Sequence, residues 1–231
     1  MSADHLIPRS AICILIPAYN EEKRIAGLVR RVESMGYPIL VVDDGSRDGT
    51  ARLLKELGVP YVTQEINRGK GAALRKGFEV FLKSQGQALI MMDSDGQHDP
   101  GELEFFVRAI SGTEADLVVG NRMTDPKSMP LVRRITNRFM SWMLSCAIGQ
   151  AVPDSQCGYR AIRAEALKKL ELHTDHFEIE SEMLLEAGRQ GLRIRSIPVR
   201  SVYEGGVSHI DPVRDTYRFF KFLLKYGTSK K

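Results

Sequence analysis

Apolar residues fall in short unbroken runs separated by amphipathic stretches. Residues 11–17 (AICILIP), 39–42 (ILVV) and 89–92 (LIMM) are such runs, and 116–120 (DLVVG) is a further one. A run without alternation is the pattern of a strand covered on both faces, so these predict buried parallel strands. Between and after them, residues 21–34, 48–57, 71–83 and 101–109 repeat apolar positions at helical spacing. Strand and helix alternate, which predicts an α/β fold with a mostly parallel central sheet and helices on both faces. The second half is less regular. It predicts a helix over 131–148, a stretch containing Gly and Cys at 154–160, a helix over 178–189, strand-like 192–202 and a last helix over 212–226. Lacking a linker, residues 1–231 read as a single domain, with a core of about residues 11–210 and a basic amphipathic segment over about 211–231.

In an open parallel sheet, ligands bind beyond the carboxyl ends of the strands. That is where the sequence places its unusual residues: Tyr19, Asn20 and Glu21 after the first strand, Asp43 and Asp44 after the second, and Asp93, Ser94 and Asp95 after the run at 89–92. Asp93 and Asp95 lie two apart on extended chain, so both carboxylates can reach one side of a turn. Such a pair suits a hard divalent cation, Mg²⁺ or Mn²⁺, bridging protein to substrate phosphates, with Gln97 as a third oxygen ligand. The rival readings are a solvated loop with Asp99 capping the helix that starts at Pro100, and an EF-hand. The EF-hand fails because His98 stands where that loop needs Gly. Asp43 and Asp44 bring more acid to the same edge. Such carboxylates repel one another unless a cation or a hydroxyl-rich ligand joins them, and a ribose or base contact suits one of them.

Residues 67–71 (NRGKG) open a helix and could offer Lys70 and free N–H groups to phosphate. They are neither a P-loop, having no Ser or Thr after the Gly-Lys pair, nor a dinucleotide fingerprint. Composition narrows the partners. With 43% apolar and 27% charged residues the chain is an ordinary globular protein, and a net charge of +4 does not call for nucleic acid. Three cysteines without a C-x-x-C spacing suggest reduced thiols rather than a disulfide or zinc framework. No signal-like or membrane-spanning stretch is evident, so the expected location is the cytoplasm, peripherally on the cytoplasmic face of a membrane where membranes matter.

Taken in order, PAYNEE from Pro17, VDDGS from Val42, NRGKG from Asn67, DSDGQ from Asp93, GNR from Gly120 and DSQCGYR from Asp154 give the chain its resemblance to glycosyltransferase family 2. It is most similar to the branch that transfers hexoses to dolichol or polyprenyl phosphate, over about residues 11–210. The resemblance implies a GT-A fold, an inverting reaction, a divalent cation (Mn²⁺ or Mg²⁺), a nucleoside diphosphate sugar donor of GDP-mannose or UDP-glucose type, and a polyprenyl or dolichyl phosphate acceptor. It assigns Pro17, Tyr19, Glu21, Asp43 and Asp44 to the nucleotide, with Lys70 and Ser94 near it, and Asp93, Asp95 and Gln97 to metal and diphosphate. Arg122 and Arg138 would hold the acceptor phosphate, and Asp154 would serve as a base or an orienting carboxylate. Near the end, residues 203–209 depart from the mannosyltransferase pattern, leaving His209 or Arg214 to substitute at the donor diphosphate.

Over 131–148, Val132, Ile135, Phe139, Trp142, Met143 and Cys146 recur at helical spacing, with Arg133, Arg134 and Arg138 on other faces. Such a stripe either packs in a core or lies at lipid headgroups, and the resemblance favours the second. The segment at 212–226 pairs a basic stripe with an apolar one, which suits either anionic lipid or docking on the domain. A membrane partner protein would be another route to a lipid acceptor. Two other functions stay open: the same donor chemistry with a soluble or saccharide hydroxyl acceptor, and a nucleotide-binding protein of this fold without catalysis.

Overall fold

The computed structural model describes residues 6–200 apart from 113, 127 and 128. In chain order its elements are β1 (Ile12–Ala18), α1 (Ile25–Ser34), β2 (Ile39–Asp43), α2 (Thr50–Leu57), β3 (Tyr61–Thr63), α3 (Lys70–Phe81), β4 (Ala88–Met91), α4 (Leu103–Ser111), β5 (Leu117–Asn121), α5 (Leu131–Ile148), β6 (Arg160–Arg163), α6 (Ala164–Leu167), α7 (Ile179–Arg189) and β7 (Ile194–Pro198). The strands form one sheet in the order β3-β2-β1-β4-β6-β5-β7. All neighbours pair in parallel except β6, which runs antiparallel to β4 and β5. Every residue of β2 and β4 is buried. Alternate side chains point to opposite faces, so both faces of the central sheet are covered.

Helices α1 and α2 pack on each other and α4 lies along β5, β6 and β7, whereas α3 lies on β1 and β2 and contacts α7, which in turn holds α5. The seat of α3 is close because residue 77 is glycine: a Cβ there would collide with the side chain of Leu15.

Several boundaries differ from the sequence reading for local reasons. The helix expected from 21 starts only at Ile25, because Glu21 and Glu22 donate their N–H groups to Thr50 Oγ1 (2.8 Å) and Asp48 Oδ2 (3.1 Å) and so tie down the β1–α1 loop. Asp99 caps a 3-10 turn at Pro100–Glu102 by accepting Gly101 N–H at 2.9 Å, and α4 follows it. Strand β1 runs through Pro17 to Ala18. Ile14 N–H points to the β2 side, where it meets Pro38 O, so the position of Pro17, three residues on, faces β4. Pairing with β4 ends at Leu15–Met91, so no ladder bond is lost at the proline. Two strands were not anticipated, β3 and β6. The expected 212–226 helix and residues 201–202 of the last strand lie outside the described residues.

Candidate active site

Strand direction alone gathers the site. Parallel β1, β2 and β4 bring their carboxyl ends to one edge, carrying Tyr19 to Glu21, Asp44 and Asp93 to Asp95. Because β6 is antiparallel, its first residue, Arg160, pairs with Met91 and Val119. The loop before β6, with Asp154, and the residue after β5, Arg122, therefore arrive at this edge too. The chain leaves β1 toward β2 on one side and reaches β4 on the other, and their pairing stops at Leu15–Met91. A crevice at such a switch point is the usual ligand site of an open α/β sheet.

On the β4 side, Lys70 Nζ lies 2.6 Å from Asp93 Oδ1 and 2.6 Å from Glu180 Oε1 of α7. Burial alone would raise the Asp93 carboxyl, but the Lys70 ammonium outweighs it and holds the group well below the usual carboxylate range. Burial likewise acts to lower Lys70, and Asp93 and Glu180 together raise it above an ordinary lysine. The backbone of Gly158 lies against this pair: a Cβ there would be 2.5 Å from Asp93 Oδ2 and 2.7 Å from Lys70 Nζ. Asp93 N–H donates to His98 Nδ1 at 3.1 Å, and the buried imidazole stacks on Tyr159 at 4.9 Å between centroids. Burial lowers the His98 pKa although Asp93 and Asp95 pull it upward, so the ring is the neutral acceptor that this bond needs. Ser94 is buried, and Asp95 is exposed with Oδ1 accepting Gln97 N–H at 2.9 Å.

On the β1–β2 side, Tyr19 is exposed, Pro17 is buried, and Glu21 keeps its Oε2 buried without a hydrogen bond, 3.5 Å from Arg24. Burial raises the Glu21 carboxyl, Arg24 offsets part of this, and the charge of Asp95 adds a smaller upward push. Asp43 is fully buried and turns Oδ1 to Ser46 N–H at 3.1 Å, leaving Oδ2 unpartnered. Asp44 accepts from Gln64 Nε2 (2.8 Å), Arg68 N–H (2.9 Å) and Gly69 N–H (2.7 Å), so it holds the loop that leads Lys70 into α3. Its carboxyl is still raised by burial, against the pull of those two N–H groups.

Beyond β5, Asp154 is 0% exposed and accepts Arg122 N–H (3.0 Å), Nε (2.8 Å) and Nη2 (3.0 Å), together with Asn137 Nδ2 of α5 (2.7 Å). Burial would raise its pKa, but Arg122 holds it below the ordinary value. Arg138 is exposed on α5, one residue past Asn137. The inner face of α5 consists of Asn137, Met140, Ser141 and Leu144, and its outer face leaves Val132, Ile135, Phe139 and Trp142 exposed. The apolar stripe of this helix is thus turned away from the core of the chain. His209 and Arg214 lie outside the described residues.

Two participants went unnoticed in the sequence, and a third, Arg160, appeared there only as the last residue of the DSQCGYR motif, with no role. Glu180 holds Lys70 from α7, Asn137 holds Asp154, and Arg160, 1% exposed, donates to the carbonyls of Cys157, Glu180 and Ser155 at 2.8, 2.6 and 2.7 Å, fixing the loop before β6. The place of Arg160 at the end of that motif was the available signal for it. Among the described residues no three His, Cys, Asp or Glu side chains converge as a protein-only metal cage. The donors fit a cation of another kind. Asp95 is exposed and has one oxygen beyond its Gln97 bond, and a hard cation completes its shell with substrate phosphates.

The family model for glycosyl transferase family 2 matches residues 13–171. A protein of Methanococcus voltae named UDP-N-acetylglucosamine--dolichyl-phosphate N-acetylglucosaminyltransferase is 33% identical over 215 residues, covering 83% of this chain and 86% of its own. The polyprenol monophosphomannose synthase of Mycolicibacterium smegmatis is 30% identical over 206 residues, covering 83% and 77%. Among solved structures, a glucosyl-3-phosphoglycerate synthase from Mycobacterium tuberculosis, in complex with Mn²⁺, UDP and glucosyl-3-phosphoglycerate, superimposes with a TM-score of 0.72. It is 22% identical, and the match covers 94% of this chain and 79% of that one. That likeness establishes the GT-A type of fold.

Proposed function

Because the chain belongs to glycosyltransferase family 2, we propose that it transfers a hexose from a nucleoside diphosphate sugar to a polyprenyl or dolichyl phosphate at a membrane surface, with inversion. Relatives named for dolichyl and polyprenyl phosphate chemistry support the acceptor class. The observation that carries the choice is the state of Asp154. This carboxylate is wholly buried and engaged by four N–H donors, so it orients Arg122 and is not placed to take a proton. A hydroxyl acceptor needs a base, whereas a phosphate oxygen is already an anion at neutral pH.

In this reading Glu21 and the loop after β2 receive the nucleoside, and the Asp93–Asp95 loop receives the diphosphate. A divalent cation bound there would offset the negative charge that grows on the departing diphosphate. Lys70, shared by Asp93 and Glu180, offsets part of the negative charge there before the donor arrives. Arg122, held by Asp154 through Nε and Nη2, is the cation assigned to the acceptor phosphate, with Arg138 as a second. An acceptor phosphate oxygen forms the new bond to the anomeric carbon as the bond from that carbon to the diphosphate breaks, and the electron pair leaves with the diphosphate. His209 or Arg214 is assigned to the donor diphosphate as a further contact.

The outer face of α5 suits a lipid surface. Phe139 and Trp142 are exposed next to Arg138, and among the described residues no helix is long and apolar enough to cross a membrane. The test is incubation with Mn²⁺ or Mg²⁺, a panel of UDP- and GDP-sugars, and polyprenyl phosphate, followed by analysis for glycolipid with and without chelator. Transfer confined to water-soluble hydroxyls overturns the acceptor assignment. Nucleotide binding without product under any condition favours a non-catalytic role.

A further inference from the structure

We propose that Asn137 is a positioning residue for acceptor binding: it fixes Asp154, and through it the plane of Arg122. The proposal rests on the reading that Arg122 grips the acceptor phosphate.

The hydrogen bonds leave the Asn137 amide one orientation. Its Oδ1 accepts the Ser141 hydroxyl at 3.0 Å, so its Nδ2 is the end turned to Asp154 Oδ1, at 2.7 Å. Ser141 is itself held, since its hydroxyl lies 3.0 Å from Ser155 Oγ and accepts Ser155 N–H at 2.8 Å. All four side chains are 5% exposed or less. The network therefore joins two consecutive residues of the loop before β6, Asp154 and Ser155, to one turn of α5. Without Asn137, Asp154 Oδ1 would be held by Arg122 Nη2 alone, and the carboxylate could swing about its other oxygen. The guanidinium is bound to that carboxylate edge-on, through Nε and Nη2, so a turn of the carboxylate tilts its plane. A bidentate grip on phosphate depends on that plane.

The arrangement also accounts for a peculiarity of α5. Two polar residues one turn apart, Asn137 and Ser141, face inward on a helix whose apolar Val132, Ile135, Phe139 and Trp142 face outward. On a helix packed for stability alone the apolar face would turn inward. Here Met140 and Leu144 do pack inward, but between them Asn137 and Ser141 are given to the loop whose carboxylate holds Arg122.

The test compares Asn137→Asp, Asn137→Ala and Arg122→Ala in the full chain. Asn137→Asp keeps the shape but sets a second buried carboxylate against Asp154. Asn137→Ala removes the donor without adding charge, and it stands as the deciding variant where Asn137→Asp does not fold. Donor and acceptor KM, nucleotide Kd and thermal midpoint are measured for each. The expected result is an acceptor KM raised at least fivefold in Asn137→Ala and further in Asn137→Asp, with donor KM and nucleotide Kd within twofold of wild type. Ser141→Ala moves acceptor KM in the same direction and less. Donor and acceptor KM rising in proportion would mark Asn137 as merely structural and overturn the proposal. So would an unchanged acceptor KM in Asn137→Ala beside a raised one in Arg122→Ala, with the acceptor reading intact. An unchanged acceptor KM in Arg122→Ala sinks that reading and this proposal together.

Discussion

Replacing Asp154 by Asn tests the electrostatic centre of the site without changing its shape. The carboxylate is 0% exposed, and its partner Arg122 has a side chain only 13% exposed. The amide that replaces it turns at least one N–H toward a donor of Arg122 or Asn137, and removes the Asp154 charge from beside a nearly buried guanidinium. Removing one partner of a buried ion pair costs about 3–5 kcal/mol, and the slight exposure of Arg122 argues for the lower end, about 3 kcal/mol. For a chain of this size about 1 kcal/mol moves the midpoint by about 2–4 °C, so the expected loss is roughly 6–12 °C. The pH dependence follows from the direction of the Asp154 shift. Its folded carboxyl gives up its proton more readily than the unfolded one, so its contribution is fully present above the ordinary aspartate pKa and is lost as pH falls through the depressed folded value. The gap between wild type and Asp154→Asn should therefore be equal at pH 8 and pH 6, and narrow only below about pH 4. Calorimetry at several pH values reads this, and nucleotide titration should show donor affinity unchanged. A variant as stable as wild type but without turnover would refute the reasoning, because it would make Asp154 a base rather than a support.

Glu21→Gln should stabilise the fold at pH 7–8 by on the order of 1 kcal/mol, about 2–4 °C, while weakening donor binding. Burial and Asp95 raise the Glu21 carboxyl, so its charge costs stability above the folded pKa; the gain should vanish in acid, where wild type protonates, and a gain that persists there counts against this account. Gly158→Ala should force Asp93 and Lys70 apart and lower the initial rate about 100-fold, the scale of a misplaced reactive group, and a rate near wild type would show that their contact is dispensable. Phe139→Ser combined with Trp142→Ser should keep the thermal midpoint and weaken co-sedimentation with anionic vesicles at least about tenfold; equal binding would remove α5 from the lipid surface.

What the sequence disclosed of the fold followed how each strand is buried. Strands β1, β2, β4 and β5 read as unbroken apolar runs because both of their faces are covered. Strand β6 escaped notice because its buried end carries Arg160, whose charge is absorbed by three carbonyls that only the folded loop provides. Short β3, with two of its three residues exposed, has no hydrophobic signature at all. At the site, the order of motifs showed which residues to watch, but their pairing was invisible. Lys70 and Glu180 are separated by 110 positions, and only the contact of α3 with α7 brings them together. For α5 the two faces were legible and their direction was not, since Asn137 and Ser141 look like solvent-side residues until Asp154 and Ser155 are set beside them.

An edge crowded with carboxylates invites the inference that a cation must hold it together, yet most of these acids are already compensated within the chain. Asp93 has Lys70, Asp154 has Arg122, and Asp44 has the N–H groups of Arg68 and Gly69. Asp95, Glu21 and Asp43 stand apart: each side chain remains incompletely bonded, and the charge of Asp95 adds to the burial that raises Glu21. Arg24, at 3.5 Å, outweighs the Asp95 charge at Glu21, and it is burial that keeps the Glu21 carboxyl raised. Among Asp95, Glu21 and Asp43 only Asp95 is exposed, so in the proposed reaction a divalent ion arriving with a diphosphate would be drawn toward Asp95, while Asp93 is paired with Lys70. Asp95→Asn should then weaken the dependence of nucleotide binding on Mn²⁺ more than Asp93→Asn does, whereas Asp93→Asn should release Lys70 and lower the thermal midpoint. Titrations of nucleotide against metal concentration in the two variants separate these effects, and equal loss of metal dependence would mean that the two carboxylates bind the ion as a pair.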